Sequence, residues 1–192
     1  MKDLKQFSLI ISSDPADKGL DETVILWGIK KGNFYHILGH YSEGKSESME
    51  IVGRIFDKVI KFIGREIKGN VIIDGIGLGV GPVSRLRELI SEKNISNIRI
   101  VDAKFGEAAL KKEYFMNKKA ENYFGLRAIF MDELIKIPKV DKLRKHLIAM
   151  KWELTSSAKK KIVDPEDYSP DWADALCYFT WKDKTELAFE FI

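Results

Sequence analysis

Three aspartates stand where an ion-dependent hydrolysis could be built. Asp14 closes the apolar run FSLIISS, Asp74 closes a second run, VIID, and Asp171 opens the stretch DWADALCYF after Tyr-Ser-Pro. If the two runs are parallel neighbouring strands, their axes lie about 4.8 Å apart and both carboxylates leave the sheet at one edge. A helix packed across that sheet can bring Asp171 to the same place, with Asp174 one turn further on nearly the same face. Carboxylates gathered at one point repel each other unless cations accompany them. Mg²⁺ and Mn²⁺ are hard ions that take oxygen ligands. Two such ions about 3.5–4 Å apart can activate a water and stabilise the leaving oxygen of a phosphodiester. Taken singly, each aspartate also has a plainer reading: Asp14-Pro15 as a strand-ending turn, Asp171 as a helix N-cap. Pattern alone leaves both readings open.

The elements that must position these residues follow from periodicity. Phe7 to Ser13, ETVILWGIKK and NFYHILGHY read as three strands, the last two joined by a Lys-Gly-Asn hairpin signal. Ser46 to Lys68 has helical spacing, with Met49, Val52, Ile55, Phe56, Val59, Ile60 and Ile63 on one face. VIID is a short buried strand, and the turn GIGLGVG leads into a helix from Pro82 to Lys93. IRIVDA is a fifth strand, KKAENYFGLRAIFMDELI a helix, and Asp141 to about Ala149 another. MKWELTSS and KKKIVD read as a late hairpin or a pair of strands, and Asp171 to Lys182 as a final helix after Pro170. Three antiparallel strands followed by alternating helices and strands predict an α/β fold: a mixed sheet with helices on both faces, the fourth strand parallel to the first.

Composition bounds the function classes. The chain has 192 residues, 45% hydrophobic and 32% charged, which suits one domain over residues 1–192. No apolar run reaches the ~20 residues of a membrane span, and no signal peptide is recognisable, so a cytoplasmic protein is expected. The lone Cys177 excludes an internal disulfide and reads as a buried hydrophobe. His36, His40 and His146 lack zinc-site spacing. A net charge of +3 permits an anionic partner. Lys118, Lys119, Lys159, Lys160 and Lys161 are the candidates to neutralise phosphates along a DNA path. One motif competes: Gly39 to Ser46 matches the nucleotide-binding pattern G-x-x-x-x-G-K-[ST], with Lys45 as its lysine. It would sit on the second arm of a hairpin, whereas such loops belong to parallel βαβ units. The plainer reading is a turn whose Ser46 caps the next helix.

In order along the chain, Asp14-Pro15-Ala16, VIIDGIGLGVG, VDAKFGEAA, FMNKKAENYFGLR and YSPDWADAL resemble the C-terminal nuclease domain of the large terminase subunit of tailed bacteriophages. FMNKKAENYFGLR resembles that family's Asn-Lys-Arg-Ala-Glu helix, with Lys119 where arginine is usual, and YSPDWADAL its closing Ser-Pro-Asp-x-x-Asp-Ala-Leu segment. The likeness runs from about Phe7 to Trp181. It implies an RNase H-like fold and a two-metal endonuclease that cuts concatemeric viral DNA during genome packaging. It further implies Asp14, Asp74 and Asp171 as catalytic metal ligands, Asp174 as a further ligand or a packing residue, and Mg²⁺ or Mn²⁺ as cofactors. The implied partners are double-stranded DNA and, in a full terminase, an ATPase domain, the portal and the small terminase subunit, in the host cytoplasm. A chain of this length has no room for the ATPase domain, so an excised domain or a stand-alone relative is expected. A nucleotide hydrolase using Gly39 to Ser46 and a DNA-binding module that does not cut are the alternatives.

Overall fold

The structure is a computed structural model that describes residues 6–16, 21–44, 46–63 and 67–182. Strands β1 (Ser8–Asp14), β2 (Thr23–Lys31) and β3 (Phe34–Glu43) form an antiparallel meander. The β2–β3 turn uses Gly32 at φ +56°, a left-handed conformation that favours glycine. Helix α1 (Ser48–Ile63) precedes β4 (Lys68–Asp74), which pairs with β1 in parallel, as its buried VIID run predicts. After a single 3₁₀ turn at Gly77–Gly79, α2 (Val80–Glu92) leads to β5 (Ile98–Ala103), parallel to β4. Then come α3 (Lys118–Met131), β6 (Ile135–Lys136), α4 (Asp141–Ala149), the hairpin β7 (Lys151–Leu154) and β8 (Lys160–Val163), and α5 (Asp171–Phe179). The main sheet runs β5-β4-β1-β2-β3-β6, and β7-β8 form a separate two-stranded sheet.

Alternation along the strands divides the interior in two. Leu9, Ile11, Ile25, Val71 and Ile73 pack against Ile51, Ile55 and Val59 of α1 and Val83 and Leu86 of α2. Ile10, Val24, Leu26 and Ile72 meet Leu126 of α3, Leu143 of α4 and the apolar residues of α5 on the opposite face. By the same two-residue period Asp14 and Asp74 share the face of Ile10 and Ile72, and α5 lies against it. All nine residues of α5 are buried, so it is a central helix, not an amphipathic cover. Buried acids on such a helix need partners close by.

Several boundaries differ from expectation. Helix α1 is shorter than Ser46 to Lys68, because Lys68 and Gly69 are drawn into β4 by pairing with β1. Helix α2 begins two residues before Pro82; a proline in the first turn lacks only an N–H that would have no partner there. The segment DELI is not helical: Asp132 caps α3, Glu133 adopts φ +56°, and Ile135 pairs with Tyr35 as edge strand β6. Helix α5 stops at Phe179, with Thr180 as its C-cap. Among the described residues no helix is long and apolar enough to cross a membrane.

Candidate active site

Register places the first two aspartates. Ser13 pairs with Ile73 across the parallel β1–β4 ladder, so Asp14 and Asp74 end adjacent strands side by side. Helix α5 is fastened over them by the buried Ser12 Oγ, which donates to the Ala175 carbonyl at 2.8 Å. That brings Asp171 and Asp174 to the same strand ends. Asp171 is the first residue of α5 and not its cap, contrary to the simpler sequence reading; Pro170 holds the cap position. Its Oδ2 accepts the Glu22 N–H at 2.8 Å, and the helix N-terminus favours its negative charge.

The four carboxylates share one field. Burial, then the charges of Asp174, Asp74 and Asp171, push the Asp14 carboxyl well above the ordinary range, while Lys119 pulls it down. Burial raises Asp74; the Ile76 N–H, 3.1 Å from its Oδ1, the nearby Tyr178 hydroxyl and Lys119 oppose this. That hydroxyl sits beside Asp74 without completing a well-aligned hydrogen bond among the described residues. Burial also raises Asp171, against the hydrogen bonds from Ser169 and Glu22. Asp174 is pushed up to about 6 by burial, despite Lys119 and Tyr123. Tyr123 Oη donates to Asp174 Oδ1 at 2.6 Å, and Lys119 Nζ lies 3.3 Å from Asp174 Oδ2 and 2.6 Å from Asp164 Oδ1.

The glycine turn shapes the rim of this cluster. A Cβ on Gly79 would stand 1.6 Å from the Asp74 carbonyl oxygen, and one on Gly75 1.4 Å from Asp102 Oδ1. The chain therefore leaves β4 in a turn too tight for side chains at these positions.

Are these donors suited to divalent ions? Their type fits: they are carboxylate oxygens, the ligands Mg²⁺ and Mn²⁺ prefer, and Asp14, raised first by burial and then by three neighbouring carboxylates, is a group whose charged form a cation would favour. Their present orientation is not that of a closed cage, since among the described residues no three Asp, Glu, His or Cys side chains form one. Asp174 is turned to Lys119 and Tyr123, and Asp171 to Glu22. Ion binding would exchange part of these contacts for ligation.

Two of the lysines expected to neutralise phosphates are largely buried and paired with acids. Lys118 is buried, with Nζ 2.9 Å from Glu121 Oε2 and donating to the Lys182 carbonyl at 3.1 Å. Lys119 has only 14% of its side chain exposed and joins the acidic cluster. Lys159, Lys160 and Lys161 do ride on the β7–β8 hairpin. Lys161 pairs with Glu153 at 3.1 Å, Lys160 lies over the rings of Phe115 and Phe124, and Lys159 has no ion pair among the described residues. Sequence reasoning missed Tyr123 and Asp164 as neighbours of the site. The spacing of Lys119 and Tyr123, four apart on one helix, was the available signal.

Among the described residues most of the rival motif is strand. Gly39 to Glu43 are extended β3 residues paired to β2, from Trp27↔Gly39 to Thr23↔Glu43. Lys45 lies outside the described residues. Ser46 does not cap α1, which starts at Ser48; its Oγ is buried without a hydrogen-bond partner among the described residues. His146 accepts the Trp172 N–H through Nδ1 at 3.3 Å, and Cys177 is buried with its thiol pushed up by burial, so both serve structure.

A mixed sheet in this order, with α1 and α2 on one face and α3, α4 and α5 on the other, is the RNase H-like arrangement. The fold is also that of several phage enzymes. The nuclease domain of the large terminase subunit gp2 of bacterial virus Sf6 superimposes with a TM-score of 0.69 at 18% identity, covering 92% of this chain and 89% of that one. The large terminase nuclease of thermophilic phage G20c with bound magnesium gives 0.61 at 14% identity, covering 91% and 80%. The large terminase of another thermophilic bacteriophage, in complex with ATP-gamma-S, gives 0.60 at 13% identity; the match covers 90% of this chain and 39% of that longer one. No protein-family model matches the chain, and no curated protein matches it.

Proposed function

We propose that this chain is a metal-dependent DNA endonuclease that cuts concatemeric viral DNA during genome packaging. One observation carries the reading: β1 and β4 end side by side at Asp14 and Asp74, and α5, fastened over them through Ser12, brings Asp171 and Asp174 to the same place. Burial first, then the three neighbouring carboxylates, push Asp14 well above its ordinary pKa. Asp14, Asp74 and Asp171 would hold two Mg²⁺ or Mn²⁺ ions, with Asp174 as a fourth ligand. Bound there, the ions would supply activation of the attacking water and neutralisation of the charge on the scissile phosphate. The protein's own part is geometric. Paired strands fix two carboxylates, the start of α5 fixes a third, Tyr123 orients Asp174, and the glycines at 75 and 79 keep the turn after β4 tight beside them. Lysines of the β7–β8 hairpin neutralise phosphates beyond the cut. The magnesium in the G20c nuclease agrees with this reading. In a full terminase the partners are an ATPase domain, the portal and the small subunit, in the host cytoplasm.

Supercoiled plasmid incubated with Mn²⁺, Mg²⁺ or EDTA tests the proposal. Nicking that needs the ion and disappears in Asp14→Asn is expected. ATP turnover without nicking would return the Gly39 to Ser46 motif to consideration. DNA binding without nicking under every ion condition would make the chain a binding module.

A further inference from the structure

Lys119 is a cation already installed among the acids. It enters from the second residue of α3, whose start is fixed by Asn117 accepting the Ala120 N–H at 3.0 Å. Its ammonium is shared between Asp174 of α5, at 3.3 Å, and Asp164 just after β8, at 2.6 Å. Tyr123, one turn along α3, donates to the other oxygen of Asp174 at 2.6 Å. Both oxygens of Asp174 are therefore engaged by α3, whereas Asp14 has no such ion pair among the described residues. Lys118 next door spends its charge on Glu121 and plays no part here.

We infer that Lys119 is a positioning residue that sets how readily the acidic cluster takes a divalent cation, by holding Asp174 in an ion pair the incoming ion must loosen. The inference rests on the proposed metal site and adds what that site lacks, a residue that tunes its affinity. Asp164 is the counterweight. By drawing the ammonium towards the end of β8 it weakens the hold on Asp174, so removing Lys119 and removing Asp164 should act in opposite directions. A lysine that merely tied α3 to α5 would not show opposite signs.

The test is the Mn²⁺ concentration at half-maximal thermal stabilisation, read at pH 8 without DNA. Lys119→Met should lower it on the order of tenfold, since a unit charge is removed within a few ångströms of the site. Lys119→Arg should leave it near wild type. Asp164→Asn should raise it severalfold. In an Asp174→Asn background the Lys119→Met effect should shrink, leaving only the direct field of the ammonium on Asp14 and Asp74. An unchanged midpoint in Lys119→Met, or a shift of the same sign in Asp164→Asn, overturns the role of Lys119 while leaving the nuclease reading intact. If Lys119→Met does not fold, Asp164→Asn decides alone: an unchanged or lower midpoint overturns the inference. A wild-type protein with no Asp14-dependent response to Mn²⁺ overturns both readings together.

Discussion

Asp14 concentrates the electrostatic tension of the molecule. It ends a strand whose residues from Leu9 to Ser13 are buried, and three more carboxylates act on it. An acid whose folded-state pKa lies above its unfolded value binds its proton more tightly in the folded chain. Its stabilising contribution is complete below the ordinary 3.8 and is lost as pH rises through the folded value, which for the coupled Asp174 is about 6. In EDTA the protein should therefore lose stability between about pH 4 and 7. Asp14→Asn should flatten that slope and unfold a few degrees higher than wild type at pH 7, on the scale of about 1 kcal/mol, with no gain at pH 4. Mg²⁺ should raise the wild-type Tm and leave the variant nearly unmoved, and scanning calorimetry reads all of these. At this scale the sequence was informative about the aspartates, since each sits at a strand or helix end. It did not reveal that Lys118 and Lys119 are largely buried and paired with acids. A lysine in a basic string looks solvated until its helix is placed against α5, and no local pattern reveals that an acid 55 residues away faces it.

Helix α5 shows how one element carries the site. It is buried all round, its two aspartates included, so burial alone does not fix its rotation about its own axis. The polar contacts do: Ser12 to Ala175, Glu22 N–H to Asp171, Trp172 Nε1 to Glu22 at 3.1 Å. Ser12→Ala leaves the Ala175 carbonyl without its side-chain donor in a buried place and should cost about 1–3 kcal/mol in urea unfolding. Cleavage should fall by more than stability explains, because Asp171 and Asp174 turn with the helix. The glycine turn is the second such element. Gly79→Ala meets the Asp74 carbonyl backbone and not a yielding side chain. It should destabilise by about 1–3 kcal/mol and abolish nicking through displacement of Asp74. If Gly79→Ala cuts at the wild-type rate, the turn has no bearing on the site. Helices with a clean apolar stripe, such as α1, were legible from spacing. Their ends were less so, because β4 and β6 take residues by pairing with strands distant in sequence, and that competition is invisible locally.

Across the whole molecule the placing of β4 beside β1 could be argued from the sequence, because a buried run such as VIID suits the inside of a parallel sheet and a right-handed crossover leaves few places for it, whereas edge strand β6 could not. The docking of the β7–β8 hairpin beside the site could not, since it depends on contacts such as Phe124 against Trp152 and Lys119 to Asp164. That docking governs how the chain meets a polyanion. With a net charge of only +3, long-range attraction is modest and local clusters decide affinity. The hairpin lysines are unequal: Lys159 has no ion pair among the described residues, Lys161 is paired with Glu153, and Lys160 covers two aromatic rings. Each lysine that releases a counterion on DNA contributes about 0.9 to the salt slope. The triple change to alanine should therefore lower that slope by roughly one to two units, not by close to three. Lys159→Ala should account for the largest single share, in binding isotherms taken from low to moderate salt with Ca²⁺ in place of Mg²⁺. A triple variant with an unchanged slope would move the DNA path to another face of the molecule while leaving the acidic cluster where it is.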